Sequence, residues 1–440
     1  SGTVMNVQST YAPVSQVLTF PNVGTTDISV LDPALEADPN SQVAMSMIYS
    51  GLVKTDKNMQ VIPDQATWQI SLDRKVYTFF ISSNVKFADG TPVTAQAYVY
   101  SWSRALSPSL GSSNSALFFE RPIVGAEDVH DGKTQTLTGV KALNDHSLQV
   151  TLTQPTPYFL ALLTRPVFLP VNPVLVERYG QKSWTQHVVG TGMGSGPFMV
   201  KSWEHNVKMV FTPNPYYYGS KPRLSAVNMY FINDPGTAFK TYRASEGNFV
   251  WNIQQGDQDA AQDMRGFERT PLLQTDAVFF NVTAKPFDNI KMRQAFAYAL
   301  DRAAFVQRAF NNTVEVANTI IPAGMPGYRP ADGNSIGYDQ RKAKSLLRSV
   351  YPAVTDVPPV TFTYPTSLVS EKEALALQAL WLENTGVKVT LLPLEPTTYQ
   401  EALAHHQIQL GFVQWVADFP DPYDGLALYL RSNANKNYGQ

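Results

Sequence analysis

The sequence predicts an α/β fold built from more than one lobe, on the evidence of its length, its composition and its order of elements. The chain has 440 residues, more than one hydrophobic core usually organises. Hydrophobic residues make up 44% and charged residues 16%, which is typical of a packed globular protein. After about residue 270, strand patterns alternate with helical ones. This alternation favours a mixed α/β sheet covered on both faces.

The spacing of apolar residues predicts the individual elements. Helical spacing predicts helices at 41–51, 94–102, 237–245, 290–299, 340–349 and 371–384. Alternating or continuous apolar runs predict strands at 17–20, 27–33, 140–152, 207–211, 227–231, 249–251, 277–282, 360–364, 387–391 and 409–415. Residues 61–81 predict a hairpin that turns near Asp73 and Arg74. Thr94 is the expected N-cap of its helix.

Composition also excludes several kinds of partner and chemistry. A net charge of -2 is too small to attract nucleic acid, so we expect no nucleic-acid partner. The absence of Cys excludes disulfides, thiol nucleophiles and thiolate metal sites. No apolar run reaches the roughly 18 residues that cross a bilayer. Residues 1–16 are small and polar, as expected of a mature N-terminus or a tether from which a signal or a lipid-bearing Cys has been removed.

Four segments together point to a known family. Trp415–Pro422 places a carboxylate between an aromatic residue and two prolines, a composition suited to holding a cationic group. Three further segments agree with it in order along the chain: Phe87–Trp102, Lys182–Phe198 and Pro286–Arg302. The chain resembles the solute-binding proteins of ABC importers for oligopeptides, dipeptides and nickel. This resemblance covers nearly its whole length.

The resemblance implies a periplasmic-binding-protein-like fold of type II, or Venus flytrap, in which two α/β lobes carry an extra inserted lobe. Lobe I would comprise residues 1–45 together with 171–268. The inserted lobe II would comprise residues 46–170, and lobe III residues 269–440. In the family the chain returns to lobe I at its C-terminal end, and we expect that return to be missing here.

The function implied by the resemblance is substrate capture for transport. Such a protein closes by a hinge around a small peptide and delivers it to the permease of an ABC transporter. We therefore expect a monomer that is not an enzyme, needs no cofactor and works outside the cell or in the periplasm. It would contact the membrane only through a tether or lipid anchor, as a lipoprotein does.

Asp418 is the first candidate binding residue. In peptide-binding relatives the aspartate of this motif holds the α-ammonium group of the ligand, and the position of Trp415 helps to wall a side-chain pocket. A charge-assisted hydrogen bond of this kind strengthens where water is excluded. The alternative is that Asp418 caps a helix or turn that begins at Pro420 or Pro422.

Lobe I supplies the other candidates that the resemblance implies. Trp251 would cover an apolar ligand side chain and Asn252 would pair with a peptide group, although Trp251 could equally be a packing residue between lobes. The loop 34–38, with Glu36 and Ala37, would offer main-chain hydrogen bonds to an extended ligand, as an added strand does. Glu36 could instead be solvated.

Phe412 marks a departure from the family. Some peptide-binding relatives carry Arg at this position, six residues before the motif aspartate, where it receives the carboxylate of the ligand. A peptide carboxylate would need another partner here. This keeps open a non-peptide solute, such as an oligosaccharide or a chelated metal, and also a hydrolase or sensor built on the same fold.

Other motifs carry no chemistry. Residues 190–197 are rich in Gly but lack the Lys-Ser/Thr ending of a phosphate-binding loop, so they predict a tight turn. The His residues lack metal-ligand spacing, and we expect no metal site. The Gly-x-Ser-x-Gly elbow is absent. The spacing of Asp418, Asp421 and Asp424 does not establish an opposed carboxylate pair, so no catalytic residue is predicted.

Overall fold

A computed structural model describes residues 16–35, 38–115, 123–330, 336–430, 434 and 436–439. The chain forms two compact units, residues 1–257 (unit 1) and 258–440 (unit 2). Each unit has an apolar core of its own. Among the described residues, no helix combines the length and apolar character needed to span a bilayer.

The helices of the described residues are α1 Pro39–Ile48, α2 Ala95–Leu106, α3 Ala126–His130, α4 Phe159–Leu162, α5 Pro173–Tyr179, α6 Pro235–Arg243, α7 Gln255–Gln262, α8 Ile290–Ala299, α9 Arg302–Phe310, α10 Gln340–Val350, α11 Glu371–Thr385, α12 Pro396–Ala404 and α13 Tyr423–Tyr429. The strands are β1 Val17–Val23, β2 Val53–Thr55, β3 Val61–Pro63, β4 Ala66–Ile70, β5 Val76–Ile81, β6 Val140–Asn144, β7 Ser147–Thr151, β8 Phe198–Glu204, β9 Lys208–Pro213, β10 Ala226–Ile232, β11 Gln274–Phe280, β12 Val360–Pro365, β13 Val389–Leu394 and β14 Leu410–Val416.

Within its described residues, unit 1 contains two four-stranded sheets and a two-stranded one. The first has the order β1-β10-β9-β8, with β1 parallel to β10 and the other pairs antiparallel. The second has the order β4-β5-β7-β6 and is antiparallel throughout. β2 pairs with β3. Residues of β10 alternate between buried and half-buried positions, so one face of that strand packs into the core.

Helix α2 packs along the second sheet, and its start is determined locally. Thr94 has extended backbone angles and its side chain accepts the amide of Ala97, which confirms the predicted cap. Tyr98 and Trp102 are fully buried on the inner face of the helix. The indole of Trp102 donates to the carbonyl of Phe168 (2.8 Å), so its polar edge is satisfied inside the core.

Unit 2 is built on a mixed sheet with the order β11-β14-β12-β13. β14 is antiparallel to β11 and parallel to β12, which is also parallel to β13. Phe280 faces a core shared with α8, α10 and α11, whereas Phe279 faces a second cluster shared with α12. Both faces are therefore covered, as the strand and helix alternation predicted.

Two predicted strands are wrong. Residues 27–33 are irregular because their main-chain amides pair with side chains in place of a neighbouring strand: Ile28 donates to Asp27 Oδ1 (2.8 Å) and Val30 to Ser41 Oγ (3.3 Å). Residues 249–251 are irregular because Asn248 alone reaches the edge of β1. Its amide donates to the carbonyl of Thr19, and its Oδ1 accepts the amide of Thr19. The division of the chain into three lobes stays a prediction.

Candidate functional site

A short loop between β14 and α13 carries Asp418. The amide of Ala417 donates to the carbonyl of Leu273 (2.8 Å), which extends the pairing of β14 with β11. Asp418 follows at once and is exposed. Farther on, Asp421 accepts the amide of Tyr423 at Oδ1 (2.9 Å), a contact at the first turn of α13. Asp418 therefore lies where the sheet pairing has ended and the helix has not yet begun.

Asp424 occupies the first turn of α13 and is 1% exposed. Its Oδ2 accepts the indole N–H of Trp415 (3.1 Å) and the main-chain amide of Asp418 (2.9 Å). Trp415 is 2% exposed and packs against Gly425, where an added Cβ would lie 2.2 Å from the ring. This arrangement ties the end of β14, the loop and the helix to one another.

The loop also contains a carboxylate with a perturbed pKa. Partial burial raises the pKa of the Asp421 carboxyl above its usual value, although the hydrogen bond from the Tyr423 amide acts in the opposite direction. Asp421 is thus less readily ionised than an exposed aspartate.

Phe412 lies in the core of unit 2 and is 8% exposed. Because it is three residues from Trp415 on β14, the two side chains lie on opposite faces of the sheet. The hydroxyl of Tyr399 donates to the carbonyl of Phe412 (2.7 Å) and accepts its amide (2.9 Å). Burial raises the pKa of Tyr399. The structure therefore uses Phe412 as a packing residue.

Trp251 and Asn252 lie in unit 1, on an irregular segment beside β1. The ring of Trp251 is half-buried, with its centroid 5.2 Å from that of Phe20 and 5.7 Å from that of Phe249. Phe249 is 46% exposed, so this aromatic cluster reaches the surface. Asn252 is exposed and has a φ of 56°, a left-handed conformation that Asn tolerates better than most residues.

The loop at 31–35 of unit 1 is held by a buried carboxylate. Asp32 is 4% exposed, and its Oδ1 accepts the amide of Ala34 (3.0 Å). Its Oδ2 accepts the indole N–H of Trp184 (3.1 Å). The guanidinium of Arg104, on α2, pairs with both oxygens of Asp32 and also donates to Gln181. A bidentate Arg–carboxylate pair of this kind is both strong and directional.

The predicted ligand loop continues beyond this network. Glu36 and Ala37 lie outside the described residues. Asp38 caps α1, where it accepts hydrogen bonds from Ser29 and from both the amide and hydroxyl of Ser41. Burial opposes ionisation of Asp38, but the bonds from Ser29 and Ser41 outweigh it and lower its pKa.

Residues 60–437 match the family described as "Bacterial extracellular solute-binding proteins, family 5 Middle". The chain belongs to this family. The resemblance drawn from the four sequence segments is thereby confirmed. The family consists of substrate-binding proteins, in agreement with the expected class.

Relatives cover most of the chain. The oligopeptide-binding protein OppA of Bacillus subtilis is 30% identical over 434 residues, which are 94% of this chain and 78% of that protein. The periplasmic oligopeptide-binding protein OppA of Salmonella typhimurium is 31% identical over 424 residues, or 93% of this chain and 76% of the relative.

A solved structure supports the fold. The structure of MppA, a periplasmic murein tripeptide binding protein in its unliganded open form, matches with a TM-score of 0.85 and 28% identity. The match covers 97% of this chain and 83% of that chain. The predicted periplasmic-binding-protein-like α/β fold is therefore confirmed.

The predicted site residues fall into two groups. Phe412, Trp415 and Asp418 lie in unit 2, whereas Trp251 and Asn252 lie in unit 1. Asp418 and Trp415 are brought together through Asp424, but Phe412 lies on the other face of the sheet. Their contacts with a ligand stay predictions.

Sequence reasoning missed the residues that hold these loops. Asp32 and Arg104 are 72 positions apart, so no local pattern links them. The spacing of Asp424 from Asp418 and Asp421 does not indicate its role, although an acidic residue is favoured in the first turn of a helix and could have indicated its position there. Within the described ranges, no group of three or more metal-ligating side chains is placed to hold a metal ion.

Proposed function

We propose that this chain is the substrate-binding component of an ABC importer and that it captures small peptides. Two relatives that are 30% and 31% identical to most of the chain are oligopeptide-binding proteins. The observation that carries the proposal is Asp418, an exposed carboxylate whose main-chain amide is held by a buried group. A charge presented on a fixed backbone is suited to binding a compact cation.

Asp418 is proposed to bind the α-ammonium group of the peptide. The ammonium has three donors, and the carboxylate can accept more than one of them. A hydrogen bond to a charged group contributes about 1.5–3 kcal/mol, which corresponds to roughly 10- to 150-fold in affinity. Trp415 supports this loop from inside, and we keep its contribution to a side-chain pocket as part of the proposal.

Residues of the predicted lobe I are proposed to bind the rest of the peptide. The aromatic surface at Trp251 would cover an apolar side chain, and the Asn252 amide would pair with a peptide group. The loop at 34–38, including Glu36 and Ala37, would offer its main chain to an extended ligand. Support comes from the Asp32 and Arg104 network, which holds residues 31–35 at the start of this loop.

Binding is proposed to be coupled to hinge closure and transfer to the permease. A ligand with a higher affinity for the closed state than for the open state favours closure by the difference between the two affinities. ATP hydrolysis by the transporter would then drive release. In this role the chain is a monomer without catalytic activity or cofactor, located outside the cell or in the periplasm and anchored through a lipid or tether.

A peptide with a free amino terminus and its N-acetylated form test the ammonium assignment. Asp418→Asn keeps the shape of the side chain but removes its charge. Calorimetry should show a loss of roughly 10- to 150-fold for the free peptide and little change for the acetylated one. Equal losses for the two peptides would contradict the assignment.

A non-peptide solute is the second candidate, and Phe412 is the observation that favours it. The position where some relatives carry Arg is a core Phe here, so a ligand carboxylate must be met elsewhere. Mass spectrometry of the ligand retained through purification would decide between the two. A retained peptide supports the first proposal, and a retained sugar or metal chelate would support the second.

A further inference from the structure

Asp424 contacts two residues of the proposed site without being exposed itself. Its carboxylate is 1% exposed, and a single oxygen, Oδ2, accepts both the Trp415 indole and the Asp418 amide. The two donors come from positions nine and six residues earlier in the chain. One buried oxygen therefore links Trp415, near the end of β14, to Asp418 in the loop.

The hydrogen bond of the Asp418 amide restrains the backbone from which the Asp418 side chain projects. Fixing the N–H of a residue restrains the peptide plane that precedes it, and with it the position of the Cα from which the side chain projects. The bond to Asp424 thus restricts the directions in which the exposed Asp418 carboxylate can project. A carboxylate held in one orientation loses less conformational entropy when it binds a cation than one that is free to move.

Trp415 makes the second contact rigid. Its ring lies so close to the backbone of α13 that a Cβ at Gly425 would approach it within 2.2–2.4 Å. The ring is therefore wedged against the helix, and its indole N–H points to Asp424. Trp415 and Asp424 support each other, and both lie behind the exposed face of Asp418.

We propose that Asp424 is a positioning residue that orients Asp418 for binding the ammonium group of the ligand. The inference rests on the proposed function, since it assigns a role to a residue that supports the same site. Asp424 acts through the hydrogen bonds that it accepts and does not itself touch the ligand. Its contribution should appear only when the ligand offers a cation to Asp418.

Three variants separate positioning from simple removal of charge. Asp424→Ala removes the acceptor, Asp424→Asn keeps an acceptor oxygen, and Asp421→Asn removes a negative charge from the same loop while leaving both contacts of Asp424 in place. Asp421 is the matched control because its own main-chain contact, with the Tyr423 amide, can be kept by Asn.

Calorimetry on the full chain should measure the affinity of one free-amine peptide and its N-acetylated form for each variant. Asp424→Ala should weaken binding of the free peptide about tenfold, which corresponds to about 1.4 kcal/mol. Asp424→Asn should weaken binding of the free peptide only about threefold, since neutral hydrogen bonds are roughly half as strong as charged ones. Asp421→Asn should stay within about twofold, and the acetylated peptide should bind all variants alike.

Several results would overturn the inference. These are unchanged binding of the free peptide by Asp424→Ala, equal losses for both peptides, or equal losses from Asp421→Asn and Asp424→Ala. If Asp424→Ala does not fold, Asp424→Ser and Asp424→Asn still test the same free-to-acetylated ratio. If both variants have the wild-type ratio of affinities for the free and the acetylated peptide, Asp424 does not position Asp418.

Failure of the proposed function gives a different pattern. If the wild-type chain does not distinguish the two peptides, or if Asp418→Asn does not, the ammonium assignment itself is wrong. If Asp418→Asn distinguishes them but the Asp424 variants do not, only the positioning role fails.

Discussion

Two buried aspartates, one in each unit, hold the loops of the proposed site in different ways. Asp32 in unit 1 and Asp424 in unit 2 each accept an indole N–H at 3.1 Å and a main-chain amide from a nearby loop residue. Asp32 is also paired with the guanidinium of Arg104, 72 positions away. The contacts of Asp424 described above lie within nine residues along the chain.

This difference separates global stability from local geometry. The pair of Asp32 and Arg104 joins a loop to a helix from a different part of unit 1, so breaking it leaves a charge buried inside the unit. The Asp424 contacts join neighbouring segments, so their loss should mainly loosen one loop. We expect changes in the first network to have the larger effect on unfolding, and changes in the second to affect binding with a smaller effect on unfolding.

The largest expected effect follows removal of the Arg104 guanidinium. Arg104→Met keeps an apolar stem but leaves the Asp32 carboxylate without its cation, which should lower the free energy of unfolding by about 3–5 kcal/mol. Urea unfolding of the full chain, monitored with a spectroscopic probe in unit 1, would measure this loss of stability. The double variant Asp32→Asn with Arg104→Met should recover part of the loss, because no charge is then buried unpaired. A loss below about 1 kcal/mol would place this pair with ordinary surface ion pairs.

An intermediate effect is expected at Gly425. In Gly425→Ala the new Cβ would meet the Trp415 ring at 2.2–2.4 Å, and the ring is held by Asp424. Overpacking of this kind costs about 1–3 kcal/mol. Gly256→Ala is the matched control, since it lies in the first turn of α7 and its Cβ meets nothing within 4 Å. Thermal unfolding that shows equal melting temperatures for the two variants would mean that Trp415 is free to move.

The smallest effect concerns pH and has opposite signs in the two units. Burial raises the pKa of Asp421 above the ordinary value of 3.8, so the folded state binds a proton more tightly than the unfolded state. The stability of the fold therefore falls as the pH rises from 3.8 through the higher pKa of the folded state. Asp421→Asn should therefore melt slightly higher than wild type at pH 7 and equally at pH values well below 3.8.

Asp38 provides the opposite case. Burial is outweighed by its bonds to Ser29 and Ser41, so its pKa is lowered and it stabilises the fold above pH 3.8. Asp38→Asn should melt lower than wild type at pH 7, and this difference should shrink as pH falls through and below 3.8. Shifts of the same sign for both variants at pH 7 would contradict the distinction between the two carboxylates.

The strands of the unit 2 sheet and the helices α8, α10 and α11 were predictable because their signals are local, whereas α9, α12 and α13 were not predicted. The apolar spacing at 290–299 corresponds to α8, and the run at 360–364 lies within β12. The prediction of a strand at 249–251 was wrong because Phe249 and Trp251 pack as an aromatic cluster, while Asn248 alone pairs with β1. The spacing of apolar residues does not show which residues of a segment will pair with the edge of a sheet.

Residue types at short spacing were enough to predict the family, the α/β alternation and the motif around Asp418. The folded chain was needed to show that the Asp424 carboxylate accepts the Asp418 amide, that Phe412 packs in the core and that Arg104 pairs with Asp32. Burial and long-range pairing arise from how distant segments pack, since a carboxylate can be kept inside a protein only where other parts of the chain supply its donors.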